Sequence, residues 1–86
     1  MELKDRIAFV TGAGRGIGRA ACREMLRRGA AGVVVADLDG DLARSTAAEL
    51  GGLGLQCDVS SEAAVHGAVA ASLAHYGRLD ILLSNA

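Results

Sequence analysis

Ile7-Ala8-Phe9-Val10-Thr11 is a short run of strand-forming residues that does not alternate polar with apolar. A strand with one wet face would alternate, so this run reads as a strand buried on both faces, as in a parallel sheet. Gly32-Val33-Val34-Val35-Ala36 has the same character, and the stretches from Leu53 to Cys57 and from Asp80 to Ala86 repeat it. Between these runs the period becomes helical. From Ile17 to Arg28, Ile17, Ala21 and Met25 share one face with Cys22 and Leu26 beside them, and Gly29 follows where a left-handed cap belongs. A second helix starts after Asp39 or Asp41, runs through Leu42 and Ala43 to about Leu50, and is closed by Gly51 and Gly52. A third takes Ser60 or Ser61 as its N-cap, has Glu62 in its first turn, carries Ala64, Val65, Ala68, Val69 and Leu73 inward, and ends near Gly77. The order is β-α-β-α-β-α-β. That pattern predicts an α/β fold, a doubly wound parallel sheet whose right-handed crossovers place helices on both faces.

Composition narrows the function classes. Among 86 residues the only aromatics are Phe9 and Tyr76, so the core is built from Ala, Val, Leu and Ile. A net charge of −1 argues against a general binder of nucleic acid or of membrane surfaces. Arg15, Arg19, Arg23, Arg27 and Arg28 cluster, and they read as the solvated face of a helix. Cys22 and Cys57 make neither a disulfide framework nor, with His66 and His75, a metal site, and read as small buried hydrophobes. No apolar run approaches membrane-spanning length, and the expected compartment is the cytoplasm.

The chemistry concentrates between the first strand and the first helix, in Thr11-Gly12-Ala13-Gly14-Arg15-Gly16-Ile17-Gly18. A helix start offers unpaired backbone N–H groups and a positive dipole end, and glycine lets the backbone approach a phosphate closely. The dinucleotide fingerprint G-x-G-x-x-G does not fit, because Ile17 stands where its last small residue belongs. T-G-x-x-x-G-x-G does fit, on Thr11, Gly12, Gly16 and Gly18. Asp37 ends the second strand, nineteen residues after Gly18, where an acidic residue accepts from the ribose hydroxyls of adenosine. Its alternative is a helix-capping Asp in the turn. Asp58-Val59 follows the third strand, where Asp58 is in position to cap the next helix.

These motifs, with Leu79-Asp80-Ile81-Leu82-Leu83-Ser84-Asn85-Ala86, resemble the short-chain dehydrogenase/reductase family over residues 4–86. Ser84 stands at the first Asn of that family's Asn-Asn-Ala-Gly motif. The resemblance implies a Rossmann-type domain of which residues 1–86 form a partial, NAD(P)-binding portion, truncated after the fourth strand. It implies a dinucleotide site at Thr11, Gly12, Arg15, Gly16, Ile17, Gly18, Asp37, Leu38, Asp58, Val59, Asn85 and Ala86. Asp58 would accept from the adenine amino group, and Asn85 would stabilise the central sheet beside the cofactor. Arg15 sits where a basic residue assists a 2′-phosphate, whereas Asp37 repels one, and the expected cofactor is NAD in preference to NADP. The implied activity is hydride transfer between NAD and an alcohol or carbonyl. The family's proton transfer uses a Tyr-x-x-x-Lys pair and a Ser. Here Tyr76 is the only tyrosine, Asp80 stands four residues on, and Lys4 is the only lysine, so no catalytic residue is assigned and Tyr76 reads as a packing residue. Two alternatives stand beside this reading: a stand-alone, non-catalytic nucleotide-binding module, and a Rossmann-like methyltransferase domain, which the Thr-Gly opening disfavours.

Overall fold

A computed structural model describes residues 3–85. The elements follow in the order β1 (Ile7–Thr11), α1 (Gly16–Arg27), β2 (Gly32–Asp37), α2 (Gly40–Leu50), β3 (Leu53–Gln56), α3 (Glu62–Tyr76) and β4 (Ile81–Leu83). The four strands form one parallel sheet in the order β3-β2-β1-β4. Chain direction across the sheet therefore reverses between β3 and β4. The first two crossovers step one way, and the third returns over the sheet to the far side of β1.

The unbroken apolar runs sit at the centre. Every residue of β1 is buried, and so is every residue of β2 except Asp37, which is half-buried. Their side chains divide by parity. Ala8, Val10, Val33 and Val35 pack against Cys22 of α1 and against Ala43 and Ala47 of α2. Phe9, Val34 and Ala36 face the other way, towards Cys57 and Ala68 of α3. Both cysteines are free and buried, as their apolar reading required. Burial alone raises the Cys22 thiol to about 11, which leaves it inert at neutral pH.

Local chemistry sets the helix ends. Asp39, rather than Asp41, caps α2 by accepting from Leu42 N at 3.1 Å. Ser61, rather than Ser60, caps α3 by accepting from Ala64 N at 3.2 Å. At the end of α1, Gly29 N donates to Leu26 O and Ala30 N to Met25 O, the paired bonds of a Schellman turn, with Gly29 at φ 102°. Tyr76 closes α3 with its ring against Gly32 and its hydroxyl donating to Val33 O at 3.4 Å, a packing role as expected.

One expectation for α3 fails. Leu73 does not point inward but is 44% exposed, and the buried position is Ser72. The helix has an apolar or small side chain on nearly every face, so hydrophobicity gave no single inward stripe. Ser72 can go inside because its hydroxyl donates to Ala68 O one turn back at 2.8 Å, which satisfies it locally. The arginine-rich face of α1 is solvated and paired: Arg19 and Arg23 reach Glu49 of α2, while Arg27 and Arg28 reach Glu24. Among the described residues, no helix is long and apolar enough to cross a membrane.

Candidate functional site

Because the strands are parallel, their carboxyl ends share one edge of the sheet. Along that edge lie Asp58 after β3, Asp37 at the end of β2, Thr11 and Gly12 at the end of β1, and Asn85 after β4. The strand order reverses at β1 and β4, which is where open α/β sheets form a ligand crevice.

The glycine turn opens α1 into this crevice. Arg15 is its N-cap residue, with extended backbone and no capping bond from its side chain. The Arg15 side chain therefore does not cap the first-turn amides, which stand at the positive end of the helix. Gly16 has φ +60°, and a Cβ built on it would meet nothing within 4 Å. Gly18 is the opposite case. A Cβ there would lie 2.3 Å from Gly12 O and 2.8 Å from Asn85 Nδ2. The helix start is thus pressed against the turn on one side and open on the other. A phosphate needs that shape, and the uncapped amides supply the donors it needs.

Asp37 touches the same turn. Its Oδ2 accepts from Gly14 N at 3.0 Å and its Oδ1 from Asp39 N at 3.0 Å. An ionised carboxylate offers about four acceptor sites, so about two stay available. Asp37 is not the cap of α2, since Asp39 takes that position. Leu38 beside it is 65% exposed. Arg15 reaches back over the turn to Asp39 at 3.8 Å, an exposed pair. Gly14 lies deeper than the motif implied. A Cβ on it would fall 2.9 Å from both Asp37 Oδ2 and Leu42 Cγ, and its carbonyl accepts from the buried Thr46 hydroxyl at 2.7 Å.

Asp58 does not cap α3. Its Oδ1 accepts from both the backbone N and the hydroxyl of Ser60, at 3.0 and 2.7 Å, and these bonds hold its carboxyl below the usual carboxylate range. The neighbouring Cys57 thiol is pushed up, first by burial and then by the Asp58 charge. Cys57 N donates to Asp37 O at 2.9 Å, which ties the ends of β2 and β3 together. Val59 is 45% exposed and Ile17 is 79% exposed. Together with Leu38 they give this edge three apolar side chains open to solvent. Asn85 N donates to Thr11 Oγ1 at 2.9 Å, and its Nδ2 lies 3.4 Å from Gly12 O, so it joins the segment after β4 to the end of β1. Ala86, the last expected site residue, lies outside the described residues.

A family model described as short chain dehydrogenase matches residues 6–86. The chain belongs to the short chain dehydrogenase family. Among curated relatives of this short chain dehydrogenase segment, the mitochondrial borneol dehydrogenase of Lavandula x intermedia is 43% identical over 85 residues, covering 99% of this chain and 32% of its own. A solved 3-ketoacyl-(acyl-carrier-protein) reductase from Brucella melitensis, complexed with NADH, is 38% identical with a TM-score of 0.87, over 93% of this chain and 33% of that one. A second structure from Brucella melitensis 16M, described as a ribose-5-phosphate isomerase, is 44% identical with a TM-score of 0.88, over 99% of this chain and 33% of that one. The segment spans about a third of the length of the relatives it matches. Their named activities differ although this segment is alike in all of them.

The structure places Thr11, Gly12, Arg15, Gly16, Ile17, Gly18, Asp37, Leu38, Asp58, Val59 and Asn85 along one edge of the sheet. The sequence pattern passed over Gly14 and Thr46. Gly14 occupies a variable position of the motif. Thr46 carried a detectable signal, because it is the one hydroxyl in the stripe Ala43, Thr46, Ala47 and Leu50 that α2 turns inward.

Proposed function

We propose that this segment holds the adenosine and pyrophosphate of a nicotinamide dinucleotide, within a longer oxidoreductase that interconverts an alcohol and a carbonyl. The observation that carries the reading is the Asp37 carboxylate, bonded to Gly14 of the glycine turn and left with about two acceptor sites. A ribose diol has two hydroxyls to donate. In this reading the amides at Gly16, Ile17 and Gly18 face the pyrophosphate, with Thr11, Gly12 and Arg15 forming the rest of the cradle. Asp37 and Leu38 take the ribose, Asp58 accepts from the adenine amino group, Val59 and Ile17 supply apolar contact, and Asn85 keeps the end of β1 in place. When bound, the dinucleotide supplies or accepts the hydride. The Tyr-x-x-x-Lys pair that resembling proteins use for proton transfer does not occur in these residues, so residues 1–86 are expected to bind nucleotide without turnover.

NAD is favoured over NADP. A 2′-phosphate would bring a second anion against Asp37, and like charges at close range are costly. Arg15 does not offset this fully, because Asp39 already engages it. The NADH in the Brucella reductase supports the same choice. The test is calorimetric titration of the full-length protein with NAD+ and NADP+, in parallel with Asp37→Ala. NAD+ should bind about tenfold or more tightly than NADP+, and the variant should close most of that gap. Tighter binding of NADP+, or no binding of either, would overturn the reading.

A further inference from the structure

We propose that Thr46, on α2 and away from the crevice, is a positioning residue for the phosphate-facing turn, acting through Gly14. This rests on the nucleotide reading given above. Thr46 is buried, and its hydroxyl donates to Gly14 O at 2.7 Å across 32 residues of sequence. A helical Thr normally satisfies its hydroxyl on a carbonyl of its own helix. This one spends it on the turn instead.

Gly14 is held on three sides. Its N–H donates to Asp37, its carbonyl accepts from Thr46, and its Cα sits where even one added carbon would fall 2.9 Å from Leu42 Cγ. The peptide units on both sides of Gly14 are therefore fixed, and those units lead directly into Arg15 and Gly16, where α1 begins. The same residue links the two halves of the site, since the carboxylate that faces the ribose is the one holding Gly14 N. Without the Thr46 hydroxyl, a buried carbonyl loses its partner. The turn can recover a partner only by moving, and movement there displaces both the α1 amides and Asp37.

The test compares Thr46→Val, which keeps the shape and removes the hydroxyl, with Thr46→Ser, which keeps the hydroxyl. NAD+ is titrated calorimetrically into each full-length protein, and melting temperatures are recorded alongside. Calorimetry separates affinity from the folded fraction, so a role in stability alone would lower the stoichiometry and the melting temperature and leave Kd in place. The valine variant should bind NAD+ about tenfold more weakly at normal stoichiometry, with serine restoring affinity to within about threefold of wild type. An unchanged Kd in the valine variant overturns the proposal, as does a serine variant no better than valine. Should the valine variant not fold, Thr46→Ala is titrated instead: a loss of about fivefold or more supports the role and an unchanged Kd overturns it. Wild-type protein that binds no dinucleotide overturns the nucleotide reading and this role together. Wild-type binding with unaffected variants overturns this role alone.

Discussion

At the scale of single residues, the two motif glycines that flank Ile17 do different work and should fail differently. Gly18 is needed for space: a Cβ there would sit 2.3 Å from Gly12 O and 2.9 Å from Ala13 Cα, both backbone atoms that cannot swing aside. Gly16 is needed for conformation, at φ +60° with open space around it. Gly18→Ala is expected to destabilise the full-length protein by about 1–3 kcal/mol through overpacking, and to abolish measurable NAD+ binding by pushing α1 off the turn. Gly16→Ala should cost about 1–2 kcal/mol of backbone strain and weaken NAD+ without ejecting it. Urea midpoints and NAD+ titrations check the ranking, and a Gly16 variant that binds no better than the Gly18 variant sinks it. The motif announced both residues, because glycine is the one residue type whose absence of a side chain is itself a message. It did not announce Gly14 or Thr46. Their roles depend on α2 lying over the turn, and the partners stand 32 positions apart in the chain.

At the scale of elements, the sequence revealed the type and order of all seven, because short apolar runs bounded by Gly or Asp differ from the longer 3.6-period segments between them. Their ends were less readable. β3 stops at Gln56 and β4 spans only Ile81–Leu83, since pairing with a neighbour, and not propensity, decides where a strand ends. The inward face of α3 was misread at Leu73 for the same reason, as burial there is set by the sheet below. One tertiary link between elements carries a pH signature. Asp80, just before β4, accepts from Arg78 and from Ile7 N at the start of β1, and lies near Arg6. Chiefly through the Arg78 bonds and then the Ile7 bond, its carboxyl drops from 3.8 to about 2. A carboxyl depressed on folding contributes stability above its unfolded pKa and loses it as pH falls through the folded one. The contribution of Asp80 should therefore be intact at neutral pH and drain away from near pH 4 to near pH 2. Asp80→Asn should lower the urea midpoint of the full-length protein at pH 7, and the gap to wild type should shrink as pH falls below about 4. A gap that is the same at pH 7 and pH 3 would show that the carboxylate charge is not what joins β4 to β1.

At the scale of the whole molecule, the two faces of the sheet are unequally covered. α1 lies over β1 and β2, and α2 over β2 and β3, on one face, while on the other α3 packs against β2 and β3. β4 stands at the edge of the sheet, and Leu82, aligned with Phe9, is 65% exposed on it, with Leu83 37% exposed beside it. An apolar edge strand with unpaired backbone groups is a template for pairing with another chain. In relatives this segment is about a third of the polypeptide, so a protein of residues 1–86 made by itself exposes this edge to solvent. Such a protein has a small core, without tryptophan and with a single phenylalanine, and buries only a modest share of its surface. It is expected to fold and to self-associate through β4 at micromolar concentrations. Light scattering coupled to size exclusion, run over a concentration series, should show mass rising above 8.7 kDa as concentration rises. Leu82→Lys places a charge on the exposed position of the edge strand and should return the species to monomer without altering Asn85 or the other residues proposed to hold the nucleotide. A wild-type segment that stays monomeric across the series would mean that three residues of β4 are too short an edge to recruit a partner. If instead both proteins associate equally, the contact lies elsewhere, and the apolar, Ala-rich outer face of α3 becomes the surface to mutate next.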